Sequence, residues 1–197
     1  MRKPSMCWIP NLLTLSRPLL LLPLMWLLTV GTVPAAHWLA FALFLAAALT
    51  DALDGWAARR LGCASNLGVF LDPLADKVFA NVLLIFLASR LPEWVPLWVV
   101  LLLVAREFVV QGFRSMAPCV GVVIRTGTLN KLKLVFQLLA IGTALAGQGW
   151  ADMAEVLKWA TWIGLGLALA SAYVSMYTLL RDNADLWGRP SVPMETR

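Results

Sequence analysis

The sequence is poor in charge and in the residues that form disulfide or zinc sites. Only 14% of the 197 residues are Asp, Glu, Lys or Arg, against roughly 25% in an average soluble domain. Histidine occurs once and the three cysteines show no CxxC spacing, which argues against a disulfide framework and against a zinc site. Nucleic-acid binding is also a poor interpretation, because the chain has no soluble basic domain.

Apolar residues, in contrast, are abundant. They make up 60% of the chain and give a mean hydropathy of +0.78, as expected for an integral membrane protein. A spanning helix needs about 20 mostly apolar residues, so the sequence predicts an all-α membrane protein with six transmembrane helices. The predicted spans are 11–30, 36–56, 69–90, 94–113, 129–145 and 154–180. We expect residues 1–180 to form a single domain and residues 181–197 a polar C-terminal tail.

Basic residues are concentrated in alternate connections between these spans. The 31–37 connection has no Lys or Arg, Arg59 and Arg60 follow the second span, and the 147–155 turn is acidic. Because Lys and Arg mark the cytoplasmic side of a membrane protein, we expect both termini and a polar cavity to face the cytoplasm. The net charge of +5 fits contact with anionic headgroups or phosphates.

Four aspartates lie at the ends of apolar runs, where a carboxylate is costly unless it is paired, hydrated or bound to metal. Asp51 and Asp54 are spaced i,i+3, and Asp72 and Asp76 are spaced i,i+4, so each pair would project from one face of a helix. Together they could form an all-oxygen site for Mg²⁺ or Mn²⁺. A structural alternative makes Asp72 the N-cap of a helix that starts at Pro73, and makes the Asp54-Gly55 dipeptide a helix end.

The segment between the two pairs suits a phosphate ligand. Gly55, Ala58 and Gly68 are small enough to let a ligand approach the backbone. The guanidinium of Arg59 matches the geometry of a phosphate group. Ser65 could donate a hydrogen bond to a diphosphate, or it could cap the loop.

A second group of charges lies on the fourth and fifth spans. Ionisable residues inside apolar helices usually mark a site or a pathway. An alternative is that Arg106 and Glu107 form an internal ion pair that fixes helix packing. The basic set as a whole favours a ligand that carries a phosphate, and it comprises Arg106, Arg114, Arg125, Lys131 and Lys133.

The acid-rich segment resembles the signature of the CDP-alcohol phosphatidyltransferases. The pattern D-x2-D-G-x2-A-R-x8-G-x3-D-x3-D is present over residues 51–76, with all eight fixed positions matched. The opening at 9–17 and the stretches at 106–114 and 121–137 resemble the branch of this family that makes phosphatidylglycerol phosphate. The chain departs from that branch at Asn130 and Leu134, where glycine and threonine are usual.

The resemblance implies a metal-dependent enzyme, a homodimer in the bacterial cytoplasmic membrane, that transfers a phosphatidyl group from CDP-diacylglycerol to an alcohol. It implies that Asp76 is both a metal ligand and the general base, and that Asp51, Asp54 and Asp72 complete a site for two ions. The CDP-diacylglycerol site would be formed by Asn11, Gly55, Ala58, Arg59, Ser65 and Gly68.

Several acceptors fit the resemblance. The basic set favours sn-glycerol 3-phosphate, and phosphatidylglycerol, the acceptor in cardiolipin synthesis, is the nearest alternative. Inositol phosphate and serine are further possibilities within the family. A cation channel or transporter would belong to a different class; the absence of an internal repeat and the clustering of the acids at one membrane face argue against it.

Overall fold

The computed structural model describes residues 8–30, 34–61, 66–117 and 128–184 of the chain. Side chains are described within 18–30, 35–50, 74–117 and 131–184. These ranges contain all the contacts discussed below.

The described residues form six α-helices and no strand. The helices are α1 (Trp8–Val30), α2 (Pro34–Leu61), α3 (Asn66–Arg90), α4 (Leu97–Met116), α5 (Thr128–Gly149) and α6 (Ala154–Asp182), with a short 3₁₀ turn at Ala151–Met153. Each helix coincides with one predicted apolar span, and the ends differ by no more than five residues. The prediction of an all-helical chain is therefore confirmed.

The helices pack around a core of leucine, isoleucine and alanine side chains. Leu83 and Leu87 of α3, Leu103 of α4 and Ile141 of α5 are completely buried. Helix α5 lies mainly against α6 and α2, α1 lies against α2 and α3, and α4 lies against α6 and α3. Charged residues of α3, α4 and α5 meet where these helices pack together with α6.

The contact between α5 and α6 depends on a small residue. A Cβ atom at Gly164 would lie 3.1 Å from the Cβ of Ala140 and 3.4 Å from its backbone nitrogen. One turn away along both helices, the hydroxyl groups of Thr143 and Thr161 are hydrogen bonded at 2.9 Å. Close approach through small residues and hydroxyl hydrogen bonds is how helices associate in an apolar solvent.

The surface of the bundle is apolar. Large hydrophobic side chains such as Leu22, Phe108 and Ile163 are more than half exposed, which is unusual for a soluble monomer. Within the described part of the chain, Lys131–Gly149 and Ala151–Asp182 are each long and apolar enough to cross a membrane. These features are consistent with an all-α membrane protein.

Candidate functional site

The backbone at the four predicted metal-binding aspartates is helical. Helix α2 continues to Leu61, so positions 51 and 54 lie one turn apart inside it, and α3 begins at Asn66, so positions 72 and 76 lie one turn apart inside the next helix. The structural alternative is wrong on both counts, because Asp54-Gly55 does not end α2 and Asp72-Pro73 does not begin α3. Four carboxylates at this spacing fit a hard divalent cation, since such ions take oxygen ligands.

Most of the predicted metal and nucleotide residues have side chains outside the described part of the structure. Asp76 is the one predicted metal ligand whose side chain is described, and it is partly buried. Among the described side chains no group of three or more His, Cys, Asp or Glu could hold a metal ion. The predicted site residues whose side chains lie outside the described residues are Asn11, Asp51, Asp54, Gly55, Ala58, Arg59, Ser65, Gly68, Asp72 and Arg125.

Glu107 is the centre of a buried cluster of charges. Its carboxylate lies 2.9 Å from Nη1 of Arg106 on the same helix and 2.5 Å from Nζ of Lys133 on α5. Nζ of Lys77 on α3 lies 3.4 Å from its second oxygen. Nε of Arg106 also donates a hydrogen bond of 2.9 Å to the backbone carbonyl of Ala172 on α6. The carboxylate therefore joins α3, α4 and α5, and Arg106 links them to α6. We call these four residues, Lys77, Arg106, Glu107 and Lys133, the charged cluster.

Within the charged cluster, the carboxylate of Glu107 contacts three cations. The side chains of Arg106, Lys133 and Glu107 are at least nine-tenths buried. Buried charges are costly to desolvate, so groups of this kind are stabilised by partners of opposite charge.

The charged cluster is open on one side. The side chain of Lys77 is 28% exposed, and Nζ donates a hydrogen bond of 3.1 Å to Oε1 of Gln111, which is exposed on α4. Arg114 lies one turn beyond Gln111 and is partly buried. Its buried Nε has no hydrogen-bond partner among the described residues. An anion approaching along this side would meet Lys77 and Arg114 first.

The residues predicted to bind the acceptor do not all lie together in the structure. It brings Arg106 and Lys133 together on Glu107, with Arg114 close to the same helix face. Lys131 is exposed at the start of α5, outside the charged cluster. The ion pair between Arg106 and Glu107, predicted as an alternative, is present.

From the sequence, Lys77 had no assigned role, and Glu107 was considered only as the partner of Arg106 in an internal ion pair. Both belong to helices that carry other predicted site residues, but their sequence positions are 30 residues apart. The local sequence could have indicated a role for Glu107. Glu107, Gln111 and Arg114 follow a helical i, i+4, i+7 spacing and therefore share one face of α4.

A deeper polar pair continues the cluster towards the middle of the bundle. Asn81 and Gln137 lie one helical turn beyond Lys77 and Lys133, and Nε2 of Gln137 donates a hydrogen bond of 3.4 Å to Oδ1 of Asn81. Gln137 is almost completely buried. Polar side chains therefore line the contact between α3 and α5 over two turns.

The family of the protein follows from comparison with known sequences. The family model described as CDP-alcohol phosphatidyltransferase matches residues 7–170, a range that includes both the aspartates and the charged cluster. The chain belongs to this family.

Named relatives narrow the similarity further. A protein of Bacillus subtilis (strain 168) named CDP-diacylglycerol–glycerol-3-phosphate 3-phosphatidyltransferase is 36% identical over 148 residues, which cover 70% of this chain and 76% of that protein. A protein with the same name from Rickettsia bellii (strain RML369-C) is 31% identical, over 77% of this chain and 85% of that protein. Another from Shigella flexneri serotype 5b (strain 8401) is 29% identical, over 88% of this chain and 91% of that protein.

Proposed function

We propose that this protein transfers the phosphatidyl group of CDP-diacylglycerol to sn-glycerol 3-phosphate, forming phosphatidylglycerol phosphate and releasing CMP. The names of its relatives support this reaction. The observation that carries the choice of acceptor is the contact of three cations, Lys77, Arg106 and Lys133, with one carboxylate. A phosphate monoester has a charge close to −2 at neutral pH and suits a site rich in cations better than the phosphodiester of phosphatidylglycerol, which carries one negative charge, or serine, which has no net charge.

The proposed setting is the cytoplasmic membrane of a bacterium. All six helices would cross the bilayer, and both termini and the polar cavity would face the cytoplasm, as the distribution of Lys and Arg supports. The apolar surface of the helices fits this placement. We also propose that the enzyme is a homodimer, as the family resemblance implies.

Asp51, Asp54, Asp72 and Asp76 would hold Mg²⁺ or Mn²⁺, with two ions in the site. When bound, the metal neutralises the oxygens of the diphosphate and of the departing CMP. The helical spacing of the four positions on α2 and α3 supports this assignment. The residues proposed to bind CDP-diacylglycerol are Asn11, Gly55, Ala58, Arg59, Ser65 and Gly68.

The protein's own part in the chemistry is to position and deprotonate the acceptor. Asp76 would accept the proton of the attacking hydroxyl, because an alcohol is a weak nucleophile until that proton is removed. The hydroxyl oxygen then bonds to the phosphorus that carries the diacylglycerol, and the bond from this phosphorus to the oxygen of CMP breaks. The acceptor's phosphate would be bound by Arg114, Arg125 and Lys131, with Arg106 and Lys133 supplying positive potential from the buried side.

The test is a transfer assay on the purified protein in detergent, with CDP-diacylglycerol and Mg²⁺ or Mn²⁺. CMP release is followed with glycerol 3-phosphate, phosphatidylglycerol, inositol phosphate or serine as the separate acceptor. We expect metal-dependent release with glycerol 3-phosphate. Release with phosphatidylglycerol alone would assign the protein to cardiolipin synthesis instead, and no release from folded protein with any acceptor would overturn the proposal.

A further inference from the structure

We propose that Lys77 binds the phosphate group of the acceptor and so determines the preference of the enzyme for a phosphorylated alcohol. This inference rests on the proposed function. Lys77 lies on α3, the helix that carries the proposed general base Asp76. The basic residues predicted from the sequence to bind the acceptor lie instead on α4, on α5 and on the segment between them.

The hydrogen-bond geometry of Lys77 leaves capacity for a ligand. A lysine ammonium group has three N–H donors. Among the described residues, Gln111 Oε1 lies 3.1 Å and Glu107 Oε2 lies 3.4 Å from Nζ, which accounts for two of these donors. The third donor is available to a phosphate oxygen.

The ion pair of Lys77 is also the longest of the three on Glu107. The carboxylate is closer to Lys133 and Arg106, at 2.5 Å and 2.9 Å, than to Lys77 at 3.4 Å. The side chains of these two residues are 5% and 1% exposed, compared with 28% for Lys77. Of the three cations in the charged cluster, Lys77 is therefore the one that an incoming phosphate can reach and that can turn towards it at the lowest cost.

The position of Lys77 along α3 places it beside the reaction. Asp76 and Lys77 are consecutive, and consecutive side chains on an α-helix diverge by about 100°. Glycerol 3-phosphate carries its phosphate and its reacting hydroxyl at opposite ends of a short carbon chain. One turn of α3 can therefore present a base to the hydroxyl and a cation to the phosphate of the same molecule.

Glu107 and Gln111 act here as positioning residues. They hold the ammonium group of Lys77 on the open side of the cluster, where Arg114 also lies. Arg106 and Lys133 add positive potential behind the carboxylate, and a low-dielectric environment strengthens their effect on a bound anion. We therefore expect a substitution of Lys77 to change the affinity for the acceptor more than kcat, because the cation contacts a part of the substrate that does not react.

The experiment compares Lys77→Met, Lys77→Arg and the control Lys158→Met in the detergent assay. Lys158 on α6 is about as exposed as Lys77, at 29%, but its partner Glu93 in the α3–α4 turn is 81% exposed. For Lys77→Met we expect the KM for glycerol 3-phosphate and the inhibition constant of inorganic phosphate to rise by about tenfold or more, because a hydrogen bond to a charged group contributes about 1.5–3 kcal/mol. The KM for CDP-diacylglycerol and kcat should change less than about threefold. Lys77→Arg should recover most of the phosphate binding, and Lys158→Met should resemble the wild type.

The outcomes separate this inference from the proposed function. A wild-type enzyme that does not use glycerol 3-phosphate contradicts the proposed function. The role of Lys77 is contradicted separately if the wild-type enzyme uses glycerol 3-phosphate but Lys77→Met behaves in one of two ways. Either its KM values for glycerol 3-phosphate and CDP-diacylglycerol rise in parallel, or its inhibition by phosphate is unchanged. If the Lys77→Met protein does not fold, Lys77→Gln is used in its place. The inhibition constant of inorganic phosphate must then rise by the same factor.

Discussion

Two glutamate–lysine contacts at different places in the bundle show how differently the same residue types can be used. Glu93, in the turn between α3 and α4, is 81% exposed and pairs with Lys158 at 3.2 Å. Glu107, inside α4, is 9% exposed and contacts three cations. The first contact joins one acid to one base and leaves the acid exposed, whereas the second is buried and joins one carboxylate to three cations.

The surroundings of the two glutamates explain the difference. Beside Glu93, the indole of Trp162 donates a hydrogen bond of 3.1 Å to the backbone carbonyl, so aromatic packing and the backbone fix this turn. An exposed ion pair contributes about 1 kcal/mol or less. Removing one partner from a buried group of charges is much more costly. We therefore interpret the contact at Glu93 as an ordinary exposed ion pair, and the charged cluster as the part of the structure that carries the proposed acceptor site.

The largest expected effect concerns the aspartate beside the charged cluster. Asp76→Asn should lower kcat by about a thousandfold, because general-base catalysis contributes roughly 10²–10⁴ in rate. Most of the oxygen ligands remain, so CDP-diacylglycerol should still bind. Single-turnover CMP release and a CDP-diacylglycerol binding titration measure the two quantities, with Asp152→Asn as the exposed control. A variant with nearly wild-type turnover would show that Asp76 is not the base.

The second prediction compares the two glutamates directly. Glu107→Leu should lower the free energy of unfolding by about 3 kcal/mol, because it leaves buried cations without their carboxylate. Glu93→Leu should lower it by about 1 kcal/mol or less. Reversible unfolding in mixed detergent micelles measures both. If the two variants lost equal stability, the distinction between a buried cluster and an exposed pair would not hold.

The smallest effect tests packing at two glycines of α6. Gly164→Leu should destabilise the protein by about 2 kcal/mol, since overpacking typically costs 1–3 kcal/mol and Ala140 lies directly opposite. Gly166→Leu should change stability by about 0.5 kcal/mol or less, because nothing within the described structure lies within 4 Å of a Cβ at that position. The same unfolding measurement applies to both. Equal losses would mean that position 166 is packed against a second copy of the chain.

The sequence was sufficient for the helices and for the spacing of the acids. Long apolar runs define helices α1 to α6 because the length and polarity of a span are local properties. The register of the aspartate pairs at 51 and 54 and at 72 and 76 follows from the helical repeat alone. The family signature over the same residues depends only on the identity and spacing of amino acids, and both can be read directly from the sequence.

The tertiary structure alone decided which charges meet. Lys77 and Lys133 contact Glu107 from positions 30 and 26 residues away, and Arg106 bonds to a carbonyl 66 residues further along the chain. Likewise Gly164 packs on Ala140 while Gly166 faces outward. The rotation of each helix about its own axis selects these contacts, and that rotation is set by the packing of all the helices together. A local pattern of residues therefore predicts that a helix forms, but it cannot determine which of its side chains face which neighbour.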